Sequence, residues 1–475
     1  MSKNELHVNV AECRAHPFLR RRLTDVAMMH LSDGLVLFFS MLIGDLVLYF
    51  INDIPVQLRP MLLMIPCWWV GSWIAHIVPG WGMGIVEELR RIQLLLLLLF
   101  SSALIVVFLQ RETGISRITF LVAYAVATVL IPLGRVLSRS FLTKLGLWGV
   151  PVVIYGDRDS VPMMTSALHL DHSLGYIPTA ILSDDFKEGD FVHGLRVLGG
   201  IHYEGCRLPV AVVALPEMAR RSLIQLLEGP MSAYKTVLLV PDLRNAPSLW
   251  VKPCDLQGIL ALELQRNLHD PLASFLKTFI ERAVILFTLP LWGTLCLFLM
   301  GLVWIQDRHS PVYAQERVGK KNKNFKAYKL RTMVFNSEEV LQQKLAESPE
   351  LKAEWEQHYK LKSDPRITWI GSFLRKTSLD EIPQFWCVLM GTMALVGPRP
   401  LPAYHHAELK DRTQRLRVKV RPGITGLWQV SGRSDSGTEG MNRWDTYYVT
   451  NWSIWLDLVI IARTVRVVLF GSGAY

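Results

Sequence analysis

The feature that most constrains this chain is a set of apolar segments too long for an ordinary soluble domain. Four lie in the first 140 residues, at 26–51, 61–78, 92–109 (with a leucine run at 94–99) and 118–137. A helix that crosses a bilayer needs about 20 such residues, so a four-helix transmembrane bundle is expected over residues 1–145. Asp33 and Asp45 make the first span the least clean. That span starts late, is long and lacks a small-residue cleavage site, so all four are expected to be permanent anchors rather than a signal peptide. Composition agrees: 51% hydrophobic and 19% charged residues, with mean hydropathy +0.26, exclude a disordered or fibrous chain.

Short loops rich in Lys and Arg stay on the cytoplasmic side. Arg20, Arg21 and Arg22 precede the first span, Arg90 and Arg91 lie between the second and third, and Arg135, Arg139 and Lys144 end the fourth. The other loops carry fewer, Arg59 in one, Arg111 and Arg117 in the other. The N-terminus and everything after residue 140 are therefore expected in the cytoplasm. Charge is uneven beyond that point. Residues 306–475 hold 26 Lys and Arg against 17 Asp and Glu, or +9, which leaves 25 against 24, or +1, for residues 1–305. Such an excess suits an anionic partner (phosphate, nucleotide, nucleic acid or lipid headgroup), although a solvated surface is its commoner meaning. Six cysteines at 13, 67, 206, 254, 296 and 387 form no C-x-x-C and read as reduced thiols.

From 146 to 270 short β-rich runs (150–155, 210–215, 236–240) alternate with a helical stretch at 218–227, the pattern of a doubly wound α/β cytoplasmic domain. The first run ends in Tyr155-Gly156-Asp157-Arg158-Asp159, where a dinucleotide fold would carry G-x-G-x-x-G, and only Gly156 is present. Asp157 and Asp159 also make a D-x-D pair of the kind some metal-dependent glycosyltransferases use, though an Asp-rich turn after a strand is the commoner meaning.

The fifth apolar segment, 279–305, has Pro290 near its middle, where it breaks a helix by removing a donor and clashing with the preceding turn. Lys277 and Arg282 mark one end, and Arg308, Arg317, Lys320, Lys321 and Lys323 follow the other. Cytoplasmic charge at both ends predicts a re-entrant membrane helix within a C-terminal α-rich catalytic domain, 271–475. A kinked fifth span is the alternative, and it would put the basic third outside.

Chemistry concentrates at 375–402. Asp380 and Glu381 follow Arg375 and open an apolar helical pattern of Ile382, Phe385, Trp386 and Leu389. Ser378 with Glu381 fits a capping box, while Pro383 fits the first helical position. Either places the acids at a positive helix end, where that field and Arg375 favour the ionised form needed in a nucleophile or magnesium ligand. The commoner use of such a pair is only to cap a helix. Pro398 and Pro400 fix the backbone on either side of Arg399, which suits bidentate phosphate contact.

With these stretches the C-terminal part resembles the bacterial sugar transferase family, the polyprenyl-phosphate hexose-1-phosphate transferases or monotopic phosphoglycosyl transferases. The matching motifs come in order: Gln315-Glu316-Arg317-Val318-Gly319, Tyr328-Lys329-Leu330-Arg331-Thr332-Met333, Ser363-Asp364-Pro365-Arg366-Ile367-Thr368, Leu379-Asp380-Glu381-Ile382-Pro383-Gln384, Leu395-Val396-Gly397-Pro398-Arg399-Pro400, and Val420-Arg421-Pro422-Gly423-Ile424-Thr425-Gly426-Leu427-Trp428-Gln429. The four spans and α/β domain resemble its long-form members, which begin O-antigen, capsule or exopolysaccharide synthesis.

The resemblance implies that Asp380 attacks the sugar-bearing phosphorus of a UDP-sugar, expelling UMP, and that undecaprenyl phosphate then displaces Asp380. It also implies Mg²⁺ at Asp380 and Glu381, phosphate contacts from Arg375 and Arg399, and further substrate-binding positions at Arg331 and Arg421. The expected location is the bacterial inner (cytoplasmic) membrane, multi-pass, with membrane lipid and no nucleic acid as partner. In the family the break in the membrane helix carries Ser-Pro, whereas here it is Thr288-Leu289-Pro290. The long architecture and the ending Gly471-Ser472-Gly473-Ala474-Tyr475 resemble members that use UDP-galactose or UDP-glucose, with galactose preferred. The aromatic run at 445–455 also resembles the family and fits either the membrane interface or the core. The α/β domain is left with three roles: the interface of a homodimer, a regulatory nucleotide site, or a spacer. A glycosyltransferase built on Asp157 and Asp159, or a non-enzymatic membrane scaffold, are the competing readings.

Overall fold

The computed structural model describes residues 16–52, 58–110, 117–170, 174–203, 206, 208–216, 218–241, 251–256, 259–264, 271–348, 351, 361, 364–431 and 437–470. Ser363 and the 471–475 ending lie outside the described residues. The chain divides into two compact units, Met1–Arg244 and Asn245–Tyr475, an earlier division than the 270 boundary read from sequence.

The first unit opens with α1 (His16–Asn52), α2 (Leu58–Ile74), α3 (Ile85–Gln110) and α4 (Arg117–Lys144). Helices α1, α3 and α4 each contain an apolar stretch long enough to cross a membrane. The second expected span is shorter than read: α2 has 17 residues with Pro66 inside, and the chain turns at Ala75 and His76. At 1.5 Å per residue α2 rises about 25 Å, less than the ~30 Å hydrocarbon core. Leu37, Met41, Trp68, Leu96, Phe100, Ala127 and Ile131 form one core between the four helices. Small residues let backbones approach, and a Cβ at Gly44 would meet the Thr119 carbonyl at 2.6 Å.

The acids that blemish the first span are paired. Arg135 holds Asp33 with two bonds of 2.5 and 3.0 Å and reaches Glu88 at 3.2 Å, while Arg139 binds the same Glu88. Trp68 donates its indole N–H to Asp33 at 2.9 Å. Thr119 donates to Asp45 at 2.9 Å.

The α/β part follows: β1 (Val150–Gly156), α5 (Ser160–Leu170), β2 (Tyr176–Leu182), β3 (Phe191–Val192), β4 (Leu195–Gly199), β5 (Val210–Ala214), α6 (Arg220–Glu228) and β6 (Thr236–Leu239). The sheet order is β3-β4-β2-β1-β5-β6, with every pairing parallel except the β3–β4 edge. Val150, Val152 and Ile154 pack with Val161 and Leu168 of α5, while Val153, Tyr155 and Val213 pack with Leu226 of α6, so a helix covers each face. At the end of β1 the D-x-D turn has the bland structure. Asp157 accepts from the backbone N–H groups of Asp159 and Ser160 at 3.1 and 2.7 Å, capping α5 with the carboxylate a metal or phosphate reading would need.

The second unit holds the hairpin β7 (Val251–Leu256) and β8 (Ile259–Leu264), then α7 (Pro271–Phe287) and α8 (Leu289–Asp307), the antiparallel hairpin β9 (Val312–Val318) and β10 (Asn324–Leu330), and α9 (Ser337–Glu347). After these come α10 (Trp369–Thr377), α11 (Gln384–Met390), β11 (Ala394–Val396), α12 (Ala403–Ala407), α13 (Asp411–Arg417), β12 (Gly423–Thr425), α14 (Leu427–Ser431), α15 (Gly437–Asn451) and α16 (Ile454–Phe470). The apolar segment breaks at Thr288, with Pro290 in the first turn of α8. The Ile285 carbonyl beside the break accepts the indole N–H of Trp292 at 2.9 Å, and Thr288 donates its hydroxyl to Val284 at 2.8 Å. Buried Cys296, Leu299 and Val303 of α8 pack under Leu330, Leu374 and Ile382, so the dyad turn rests on this helix. Outward-facing Phe279, Leu286, Phe287, Leu291, Leu297 and Phe298 leave a broad apolar surface on α7 and α8. In the aromatic run, Tyr448 and Trp452 are core.

Candidate active site

Neither local rule for the acid pair describes the structure in full. Ser378 ends α10 in the left-handed conformation (φ +56°), and its side chain caps nothing, so the capping box is not formed. Asp380 and Glu381 fall in a single 3₁₀ turn, Leu379–Glu381, and α11 starts at Gln384 behind Pro383. The dyad thus stands just ahead of a helix N-terminus, between two helices.

Strand β10 brings the missing cation. Lys329 donates to Glu381 Oε1 at 2.7 Å and to Asp380 Oδ2 at 3.4 Å. Arg399 reaches the same Glu381 oxygen at 3.2 Å from the Pro398–Pro400 turn. Arg375, at the end of α10, donates to Thr332 Oγ1 at 2.9 Å and lies within electrostatic reach of Asp380. The two acids are tuned apart. Burial raises the Asp380 pKa, helped by the Glu381 charge and opposed by Lys329 and Arg375. Burial pushes Glu381 the same way, but Arg399 and Lys329 outweigh it and hold that carboxyl below its ordinary value. The ionised form is thus favoured at Glu381, by Arg399 and Lys329 rather than by Arg375, whereas at Asp380, which Arg375 does face, desolvation is the stronger influence.

The structure thus brings Asp380, Glu381, Arg375 and Arg399 together. It places Arg331 elsewhere: its guanidinium forks onto Asp307 at 2.5 and 2.5 Å and takes the Ser310 carbonyl at 2.8 Å, closing the end of α8. Arg421 is half-buried, with Arg282 and Glu281 as its charged neighbours. Lys329 lies inside the matching Tyr328–Met333 stretch, but nothing local in a strand lysine says that it faces the two acids. The cross-strand pair Tyr313↔Lys329 is what aims it.

Known proteins place this arrangement. The profile of the family described as bacterial sugar transferase matches residues 272–471, which contain every one of these groups. The chain is 34% identical over 373 residues to the undecaprenyl-phosphate galactose phosphotransferase of Salmonella typhimurium, covering 76% of each chain. It is 33% identical over 392 residues to the UDP-galactose-lipid carrier transferase of Erwinia amylovora, covering 80% of each. To the UDP-glucose:undecaprenyl-phosphate glucose-1-phosphate transferase of Klebsiella pneumoniae it is 31% identical over 278 residues, covering 57% of this chain and 56% of that one. Two of these likenesses cover three quarters or more of the chain, well beyond the 200 residues of the family profile, and the chain is a member of the bacterial sugar transferase family.

Proposed function

We propose that this chain transfers a hexose 1-phosphate, galactose 1-phosphate by preference over glucose 1-phosphate, from a UDP-sugar to undecaprenyl phosphate, opening the synthesis of a surface polysaccharide. An Asp380 carboxylate oxygen attacks the sugar-bearing phosphorus, the P–O bond to UMP breaks, and UMP leaves. A phosphate oxygen of the lipid then attacks the same phosphorus and releases Asp380. An acyl phosphate is reactive enough to pass its group on, which divides one transfer into two. The observation that carries this reading is a buried aspartate beside a second acid, with Lys329, Arg375 and Arg399 gathered around both. Three cations offset the repulsion between a carboxylate and two anionic substrates.

Asp380 and Glu381 offer two adjacent carboxylates, and among the described residues no third His, Cys or acid joins them. Asp380 and Glu381 would hold Mg²⁺ through these two carboxylates, leaving room for substrate oxygens. When bound, the ion supplies charge neutralisation at the diphosphate. The broken pair α7–α8 is read as re-entrant in the cytoplasmic leaflet of the inner membrane, which lets the lipid phosphate meet the dyad at the interface. The test is UMP release by the detergent-solubilised protein with Mg²⁺ and a panel of UDP-sugars, with and without undecaprenyl phosphate, beside Asp380→Ala. Release that needs Asp380 is expected, near one UMP per enzyme without lipid, and normal turnover by Asp380→Ala would sink the proposal.

A further inference from the structure

The loop that delivers Arg399 follows β11, which pairs with β12 through only two residues, Ala394↔Gly423 and Val396↔Thr425. So short a ladder cannot fix a loop alone. Pro398 and Pro400 contribute no N–H, so carbonyl oxygens are most of what can be gripped. They are gripped in succession. The Val396 carbonyl accepts from Lys277 at 2.9 Å and Tyr448 at 3.0 Å, and Pro398 accepts from the Gly423 N–H at 2.9 Å. Leu401 accepts from the Val318 N–H at 3.0 Å, and the Gly397 N–H donates to Thr425 at 2.9 Å. Gly397 must be glycine, since a Cβ there would meet the Arg421 carbonyl at 2.5 Å.

The grip on Arg399 itself is a side chain. Arg417, the last residue of α13, donates from Nη2 to the Arg399 carbonyl and from Nη1 to Asp445 of α15. Both partners are buried, Arg417 at 7% exposure and Asp445 at 2%. Burying a guanidinium is costly unless its charge and N–H groups are matched; here one carboxylate takes Nη1 and one backbone carbonyl takes Nη2, while the buried Nε has no partner among the described residues. The planar fork serves two acceptors in two directions at once, which a lysine ammonium does not reproduce.

We infer that Arg417, aligned by Asp445, is a positioning residue that sets where the Arg399 guanidinium meets Glu381 and the donor phosphates. It reaches neither acid of the dyad. It acts through one carbonyl, and its role rests on the proposed Asp380 chemistry.

The experiment is a double-mutant cycle on the full-length, detergent-solubilised protein, reading kcat, donor KM and Tm for Arg417→Lys, Arg399→Lys and the double variant. Arg417→Lys alone is expected to lower kcat on the order of 10- to 100-fold, the scale of a slightly misplaced reacting group, with donor KM changed much less. In the Arg399→Lys background the same substitution is expected to cost less than about twofold, because the geometry it protects is already lost. An equal loss in both backgrounds, or a loss of kcat that only tracks a lower Tm, would overturn the inference. Should Arg417→Lys not fold, Asp445→Asn carries the same cycle, as it keeps an oxygen acceptor and removes only the charge. Normal turnover by Asp380→Ala removes the underlying reading, whereas additivity removes only this one.

Discussion

The Lys329 ammonium stands 2.7 Å from Glu381 and 3.4 Å from Asp380, so one cation on β10 bridges both acids of the dyad. Burial already raises the Asp380 pKa, and Lys329 is the first of the charges opposing it. Replacing Lys329 by Met should raise the Asp380 pKa further and bring the lowered Glu381 pKa back up. The acid limb of the pH profile for UMP release then moves to higher pH, and kcat falls by roughly 10²- to 10³-fold, the usual cost of losing one transition-state charge partner. Lys329→Arg should keep the limb near its original place. An unmoved limb in Lys329→Met would mean that another group sets the profile.

The nucleophile proposed here, Asp380, is held against its own solvation, and at such a place stability and activity compete. Folding favours the protonated form of Asp380, so its ionised form weakens the fold at pH above the raised pKa. That cost disappears as pH falls through the folded value toward and below the ordinary 3.8. Asp380→Asn is therefore expected to lose activity and to raise Tm near neutral pH, within the roughly 0.5–2 kcal/mol typical of a stabilising substitution. The gap between the two proteins should narrow on acidification. A Tm that falls at neutral pH would show that Asp380 is stabilised as an anion instead.

In the membrane bundle, Arg135 at 1% exposure is shared by Asp33 and Glu88. Removing one member of such a group leaves a buried charge unmatched, at about 3–5 kcal/mol. Arg135→Leu should therefore strongly destabilise the protein in thermal unfolding. Adding Asp33→Asn should recover part of that loss, because Glu88 still has Arg139. If the double variant is no more stable than Arg135→Leu, the pairing does not govern the packing of α1 against α4.

These cases show what the residue order does and does not disclose. Apolar length locates the helices, and Pro290 locates the break of the fifth segment, because both are local. Asp33 reads as a flaw in a span, since its partner Arg135 lies 102 residues away and no local rule joins them. The dyad and the Pro398-Arg399-Pro400 turn are legible as a motif. Lys329 and the Arg417–Asp445 pair are not, because their meaning comes from strand register and helix packing. Arg331 illustrates the reverse, since its place among the matching motifs suggested phosphate and its fork is spent on Asp307. The capping box at Ser378 failed because the preceding helix claims Ser378 as its own left-handed terminus.

On the proposed re-entrant reading, the break at Thr288 decides on which side of the membrane the C-terminal unit lies. The most exposed apolar side chains of α7 and α8 cluster there, Phe287 at 87% and Leu291 at 75%, which suits the apex of the proposed re-entrant pair. Lys277 and Arg282 on one arm, and Arg308, Lys320, Lys321 and Lys323 beyond the other, give both ends the charge expected of the basic side. Single cysteines at Leu272 and Ser310, in a variant lacking the native six, should both resist a membrane-impermeant maleimide in spheroplasts and both react once the inner membrane is opened. A fully spanning α8, 19 residues long, has the length to cross and would expose the two sites on opposite faces. Labelling of Ser310→Cys alone in closed spheroplasts would therefore reject the re-entrant geometry and move the dyad away from a cytoplasmic donor.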